Sequence, residues 1–348
     1  MRVIENNTYT APSPGVLKTS ASPIEDQHGR TFNYLRLALN EKCNLRCMYC
    51  MPEEGINFRS EDKLLSTDEI FHLLELTSEM GVTKIRLTGG EPFLRKDLFP
   101  IIQYANSMDR VDSIHVTTNG LLLSKYIHDL EESGVSGLNI SLDTLNSEKF
   151  KIITRRDGLD LVLNSLHKAM QSTIQSIKLN VVGMRDFNDD ELMDFVRLTK
   201  ENDITVRFVE LMPFDSHQIW KTGKFYGADH ILADIKNQVS ELKPIDGSRT
   251  EHHIFRVDDY KGKVAVIPAY SRSLCGACNR IRITADGKLL NCLYSQNEIN
   301  LRDAMRTGKT DMMIKDMIYG TMKKKFKDGW EAQNQGNDNR ESMTQIGG

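Results

Sequence analysis

Asn33-Tyr-Leu-Arg-Leu-Ala-Leu39, followed three residues later by Cys43-Asn44-Leu45-Arg46-Cys47-Met48-Tyr49-Cys50, decides how this chain is read. The first seven residues form a short, largely apolar run that reads as a β-strand. Three cysteines, spaced Cys43-x3-Cys47-x2-Cys50, then sit just past its C-terminal end. A second trio, Cys275-x2-Cys278-x13-Cys292, lies far downstream, and the chain has 6 cysteines in all, so every thiol belongs to a metal-like spacing. Three thiolates leave one coordination position open on a tetrahedral metal or on one iron of a cubane cluster. A position left open is where a ligand binds, whereas a closed four-ligand site is usually structural. Two such trios predict two bound small molecules.

Outward from Cys50 the pattern alternates β-like and helical runs. Strands are expected at Lys84–Thr88, Ser113–Thr117, Leu138–Leu142, Ile177–Val182 and Val206–Leu211. Between them lie a helix begun by the Ser66/Glu69 capping box and closed at Gly81, then helices near Asp97–Met108 and Ser124–Ser133. Two more helical stretches fall between Ser147 and Gln171, and a last one covers Asp189–Glu201. Six β/α units in series predict a parallel sheet. An open sheet and a curled barrel fit that pattern equally, and motif position decides between them. Cys43, Gly89-Gly90-Glu91, Thr117-Thr118-Asn119, Ser141 and Met212 all fall at or beyond strand C-termini, the functional face of a barrel. The expected fold is therefore α/β, a partial, open (β/α)6 TIM-like barrel over residues 31–245. A polar extension (1–30) precedes it, and a C-terminal module (246–348) carries the second trio. In that module His253–Asp258 with Lys263–Ala269, and Arg280–Thr284 with Lys288–Leu293, read as hairpins. The second hairpin turns inside the x13 gap and brings Cys292 back towards Cys278. Helices are expected at Leu301–Arg306 and Asp311–Lys327, before a polar tail ending Gly347-Gly348.

The 348 residues suffice for a large core, and 39% hydrophobic with 27% charged content is ordinary for a globular protein. A net charge of -3 gives no global pull towards nucleic acid or membrane. No apolar run reaches the ~18–20 residues that span a bilayer. The N-terminus lacks an apolar signal core, and Glu5, Glu25 and Asp26 argue against a transit peptide. The expected setting is a reducing one, the cytoplasm or an organellar matrix, where these spacings favour metal over disulfide.

Arg280 and Arg282 alternate on one predicted strand, so both face one side, beside the second trio. Arginine forks suit phosphate oxygens. On the residues alone, a structural zinc completed by His252 or His253 is the other reading of this trio.

The first trio, with its aromatic Tyr49 before the last cysteine, resembles the radical S-adenosylmethionine (SAM) superfamily. Leu87-Thr88-Gly89-Gly90-Glu91-Pro92 after the second strand matches that superfamily's Gly-Gly-Glu motif. The stretch Cys275–Leu293, the tail, Gly29-Arg30, Tyr34-Leu35-Arg36, Met51-Pro52-Glu53-Glu54-Gly55 and Arg207–Phe214 resemble the GTP 3′,8-cyclase family (molybdenum cofactor biosynthesis protein A), from about residue 26 to the end.

The resemblance implies two [4Fe-4S] clusters, one on Cys43, Cys47 and Cys50 and one on Cys275, Cys278 and Cys292, with SAM as cosubstrate. It implies SAM contacts from Tyr49, Gly90, Ser141 and Met212, and GTP contacts from Arg36, Arg86, Thr117, Lys178, Arg280, Ile281 and Arg282. Arg36, Arg280 and Arg282 are the expected catalytic set, and Gly347 and Gly348 are expected to insert into the site. The implied activity is that of a lyase. A 5′-deoxyadenosyl radical takes the ribose 3′ hydrogen of GTP, and C3′ then bonds to guanine C8. The implied partners are GTP, a downstream cyclic pyranopterin monophosphate synthase and an electron donor, with a homodimer as one allowed assembly. The chain departs from the family pattern at Ala38, Asn40 and Asn164, and at Arg155, which is expected to alter substrate approach. A peptide-maturing radical SAM enzyme and a non-enzymatic zinc module are the rival readings.

Overall fold

The computed structural model describes residues 23–212, 222–246, 250–295, 297–334 and 342–347. Gly348, most of the polar extension and the end of the Arg207–Phe214 stretch lie outside the described residues.

A two-stranded hairpin, β1 (Ile24–Glu25) and β2 (Thr31–Phe32), precedes β3 (Tyr34–Ala38), and the five further expected strands follow. They are β4 (Lys84–Thr88), β5 (Ser113–Thr118), β6 (Gly137–Ser141), β7 (Ser176–Gly183) and β8 (Thr205–Glu210). All pair in parallel with their sequence neighbours. The intervening helices are α1 (Thr67–Glu79), α2 (Leu98–Asn106), α3 (Ile127–Glu132), α4 (Ser147–Thr154), α5 (Leu159–Gln171) and α6 (Leu192–Glu201). The Ser66/Glu69 capping box is formed as read.

The C-terminal strands join the same sheet rather than standing apart. After α7 (Ala228–Lys236), β9 (Leu242–Pro244), β10 (His253–Val257) and β11 (Lys263–Ile267) form an antiparallel meander, and β11 lies parallel to β8. A second meander, β12 (Arg280–Ile283), β13 (Lys288–Leu290) and β14 (Glu298–Asn300), lies at the other end, with β12 parallel to β3. The result is one 12-stranded sheet whose parallel run contains β11 and β12 as well as the six expected strands. The hairpin reading was silent about these parallel pairings because nothing local in the chain encodes them. Helices α8 (Leu301–Arg306), α9 (Asp311–Lys323) and α10 (Gly329–Gln333) complete the order, and α9 stops short of the expected Lys327. Among the described residues no helix is long and apolar enough to cross a membrane.

Strand parity sorts the side chains. Leu35 and Leu37, Ile85 and Leu87, Ile114 and Val116, and Val206 and Phe208 belong to one hydrophobic cluster with helix residues such as Leu73, Ile101, Val162 and Phe195. The alternate positions, among them Arg36, Arg86, Thr117, Asn180, Arg207 and Arg282, line cavities on the opposite face. Successive side chains on a strand point to opposite faces, so the alternating apolar and polar residues of these strands are sorted to the outer and inner face.

The β1–β2 hairpin is fastened by buried charge. Arg30 Nε pairs with Asp26 Oδ2 at 2.6 Å. The same guanidinium donates to the carbonyls of Cys275 (3.0 Å), Lys327 (3.0 Å) and Phe326 (2.6 Å). It therefore ties the start of the sheet to the loop that begins the second cysteine trio. Arg30→Ala leaves Asp26 buried without its partner. It is expected to cost about 3–5 kcal/mol in urea unfolding. Arg30→Lys is expected to recover little, because one ammonium cannot serve several carbonyls and a carboxylate at once.

The polar interior also holds two histidines away from their ordinary protonation range. Burial, reinforced by Arg86 and Lys178, pushes His115 down to about 2. Burial together with Arg207 pushes His252 down to about 3. Both are neutral when folded, whereas the unfolded chain protonates them below about 6.5. Their contribution to stability is complete above that pH and is lost as the pH falls towards 3. Below pH 6 the fall is about 1.4 kcal/mol per pH unit for each histidine. Denaturant titrations from pH 7.5 to 5 should show this slope, and His115→Gln should reduce it by about that amount.

Candidate active site

Two adjoining cavities lie on the polar face of the sheet. The upper one is walled by Cys43, Cys47, Cys50, Tyr49, Gly90, Ser141 and Met212, all at or beyond strand C-termini as read from the sequence. The loop carrying the trio is pinned to the end of α4, Arg46 N donating to Thr154 O (3.0 Å) and Met48 N to Ile153 O (2.9 Å). Arg155, left-handed at φ 55, donates from Nη1 to Arg46 O (3.2 Å) and Met51 O (3.0 Å). It lines neither cavity, so its role in the structure is to hold the cysteine loop rather than to shape substrate approach.

The Gly-Gly-Glu motif works through backbone proximity. Gly90 N donates to Asn40 O and Glu91 N to Lys42 O, both at 2.8 Å. A Cβ on Gly90 would lie 2.2 Å from Lys42 O, so only glycine fits here. Asn40 returns a bond from Nδ2 to Glu91 O (2.9 Å). The Glu91 carboxyl is fully buried and accepts from Thr118 Oγ1 and Asn119 N, each at 2.8 Å. Burial still pushes it up to about 7. Asn119 Nδ2 reaches Cys43 Sγ at 3.7 Å. Tyr49 donates to Asp143 Oδ2 (2.6 Å), and burial raises Asp143 to about 6.

The three thiols are raised above their ordinary range by burial, Cys50 to about 12. They bind metal only by giving up protons. Their common cavity wall and the amide donor at Cys43 fit an iron–sulfur cluster. The C-terminal segment closes over this wall, with Ser342 Oγ (2.8 Å) and Met343 N (3.0 Å) donating to Cys50 O. Gly347, at φ 71, packs where a Cβ would lie 2.8 Å from that of Ala38. The small residue at position 38 makes that room.

The lower cavity holds about 1130 Å³ of empty space, part of it open to solvent, and Cys275, Cys278 and Cys292 lie on its wall. Arg36, Thr117, Asn180, Val209, Met212, Arg282 and Leu293 line both cavities, which therefore run together between the two trios. Arg36, Arg86, Thr117, Arg280 and Arg282, the set named by the resemblance, all line this cavity. Lys178 does not line this wall, and the Ile281 side chain points away into the apolar core, leaving only its backbone near the cavity. His252 and His253 are also absent from the wall. His253 is exposed, 3.2 Å from Ser273 Oγ, so neither histidine stands beside the thiols as a zinc ligand would.

Several site residues escaped the sequence reading. Arg207 lies on the wall 2% exposed, held by Asn180 Oδ1 (2.8 Å) and Asn139 Oδ1 (2.6 Å), and burial with Arg86 lowers it to about 9. Its parity on β8 was the available signal. Lys325 and Arg272 come from loops and gave none. Arg272 is stacked between Tyr294 (3.7 Å) and Trp330 (3.8 Å). Burial would raise Cys278, but Lys325, Arg280 and Arg282 overcome it and bring the thiol down to about 6.

The electrostatics of this wall are those of an unmet demand for anion. Arg36 Nε, Arg86 Nε, Arg280 Nε, Arg282 Nη1 and Thr117 Oγ1 are buried without a hydrogen-bond partner. Burial together with Arg36 and Arg280 lowers Arg282 to about 9. Buried donors in native proteins are normally satisfied. This many open guanidinium N–H groups fit a ligand rich in anionic oxygens.

Comparison with known proteins agrees with this geometry. Residues 38–199 match the family model of the radical SAM superfamily, and residues 204–330 match that of Molybdenum Cofactor Synthesis C. The GTP 3′,8-cyclase of Chlorobaculum tepidum is 41% identical over 93% of this chain and 97% of its own length. Molybdenum cofactor biosynthesis protein 1 of Dictyostelium discoideum is 43% identical over 87% of this chain, which spans 48% of that longer protein. The crystal structure of Streptococcus suis SuiB bound to S-adenosylmethionine shares the fold at 15% identity, with a TM-score of 0.56 over 85% of this chain and 69% of that one. With its cysteine loop, its glycine motif and its arginine-lined cavity in these positions, the chain belongs to the radical SAM superfamily and, within it, to the GTP 3′,8-cyclase family of molybdenum cofactor biosynthesis.

Proposed function

We propose that the two joined cavities are the two halves of one active site that converts GTP to (8S)-3′,8-cyclo-7,8-dihydroguanosine 5′-triphosphate. The observation that carries this reading is the row of unpartnered buried arginine donors between two cysteine trios. In this reading the sheet is a partial barrel. Residues 31–245 form the radical SAM unit and 246–348 the module that carries the second trio, although the two share one sheet.

Cys43, Cys47 and Cys50 hold one [4Fe-4S] cluster, and Cys275, Cys278 and Cys292 a second. When bound, the first cluster supplies the electron that cleaves SAM. Tyr49, Gly90, Ser141 and Met212 seat SAM over the first trio. Arg86, Arg280 and Arg282 hold the triphosphate, with Thr117 and the Ile281 backbone beside it, and Lys178 adds charge from outside the wall. Arg36 and Arg282 border both cavities and so position the ribose between cosubstrate and base. Closure by residues 342–347, with Gly348 beyond, excludes water from the radical. The product passes to a cyclic pyranopterin monophosphate synthase, and an electron donor reduces the cluster. The assignment carries no requirement for a membrane or nucleic acid, and a homodimer and a reducing compartment accord with it.

Anaerobic incubation with SAM, GTP and reductant should give 5′-deoxyadenosine and a GTP isomer separable by chromatography and mass spectrometry. SAM cleavage without a GTP-derived product would reject the substrate assignment. Iron analysis should find about eight irons per chain, as two cubanes require; stoichiometric zinc with no iron would sink the radical reading. Arg280→Ala should weaken GTP binding about tenfold or more, the scale of a lost charged hydrogen bond, and leave SAM cleavage in place. Unchanged GTP affinity in a titration would remove Arg280 from the site.

A further inference from the structure

Glu251 is the single acidic side chain on the lower cavity wall among the described residues. It comes from the segment between β9 and β10, not from the parallel run, and it is 5% exposed. Its Oε1 lies 2.5 Å from Lys84 Nζ, and its Oε2 lies 3.4 Å from Arg86 Nη2 and 3.9 Å from Arg207 Nη1. The preceding carbonyl, Thr250 O, accepts from Arg280 Nη2 at 2.8 Å. Two adjacent residues thus engage cations from β4, β8 and β12. Burial opposes ionisation of Glu251, but Arg86, Lys84 and Arg280 outweigh it and hold the carboxyl well below its usual range.

The position of this carboxylate matters more than its pairing. Lys84 opens β4 and Lys178 lies near the start of β7, at the end of the sheet away from the cysteine loop. Neither lines the cavity, and both are within electrostatic reach of Glu251. The carboxylate therefore forms the cavity floor, with these lysines on its far side. It also serves the wall incompletely, for Arg86 Nε and Arg280 Nε stay open beside it. A terminal phosphate brings three acceptor oxygens and a charge near −2, against two oxygens and −1 for a carboxylate.

We propose that Glu251 is a resident counter-anion in the triphosphate seat, and that the terminal phosphate of a nucleoside triphosphate takes its place. This rests on assigning Arg86, Arg280 and their neighbours to the triphosphate. Before substrate arrives, Glu251 offsets part of the charge stored in the wall and keeps small stray anions from settling there. A diphosphate lacks the third phosphate and, in this proposal, leaves Glu251 in place. On release, the carboxylate returns and competes for the same donors.

The test uses the full-length, cluster-loaded protein under anaerobic conditions, with GTP, GDP and inorganic tripolyphosphate as probes. Calorimetric titration should show that Glu251→Gln binds GTP and tripolyphosphate about tenfold tighter than the unaltered protein, with GDP affinity changed less than threefold. Hydrogen exchange on the unaltered protein should show GTP slowing β4 and β12 while speeding residues 250–257. The inference is overturned if Glu251→Gln binds GTP no more tightly, or if residues 250–257 become protected when GTP binds. Should Glu251→Gln fail to fold, Glu251→Asp, which withdraws the carboxylate by one methylene, is read by the same affinities alongside the exchange data. If Arg280→Ala leaves GTP binding unchanged, the seat itself is misassigned and this inference falls with it. If Arg280→Ala weakens binding and Glu251→Gln does not tighten it, the seat stands and only the counter-anion is wrong.

Discussion

Buried guanidinium groups that outnumber the anions beside them are the constraint around which this molecule is organised. Arg36, Arg86, Arg207, Arg280 and Arg282 occupy inward-facing strand positions, and the helices claim the other face for apolar packing. A charge removed from water needs a partner or a shifted protonation state. Both responses occur here. Arg207 and Arg282 are pulled down from their ordinary range, His115 and His252 are kept neutral, and the acid Glu251 is held ionised. The helix-covered outer face supplies the stability that this polar interior does not.

The same parity places the chemistry. Strand C-termini carry the first cysteine trio, the glycine motif, Ser141 and Met212 to one rim. The second trio reaches the cavity because β12 pairs with β3 and carries Arg280 and Arg282 beside Tyr34 and Arg36. The arginines that border both cavities are therefore neighbours across one strand pair, although they are far apart in sequence. A nucleotide bound there is held by residues from both ends of the chain.

Much of this was legible in the residues. The six parallel strands, the capping box at Ser66, both C-terminal hairpins and the cysteine loop follow from local periodicity and turn chemistry; they lie within a residue or two of where they were read, except that β13 ends at Leu290, three residues short of Leu293. The common face of Arg280 and Arg282 followed from parity on β12, while Arg36 and Arg86 were named by resemblance. What was not legible was non-local. The pairing of β11 with β8 and of β12 with β3 depends on which strand edges remain open once the other units have formed. Arg272, Lys325 and Glu251 approach the cavity from loops, where no period marks the direction of a side chain. Lys178 and Ile281 were assigned by resemblance, and the structure puts the first outside the cavity wall and the second in the apolar core. Arg155 looked like a change at the substrate and proved to be a brace for the cysteine loop.

The adjacency of β3 and β12 has a consequence for how the protein is made. During synthesis β3 emerges long before Arg280–Ile283, the strand that covers its outer edge. Until then β3 presents unpaired backbone groups and a buried-type sequence to solvent, which is a template for wrong pairing. Contacts so far apart in sequence also form slowly. A nascent or truncated chain thus has its first cysteine trio beside an unfinished sheet edge. Pairing of β12 with β3 is the step that closes that edge.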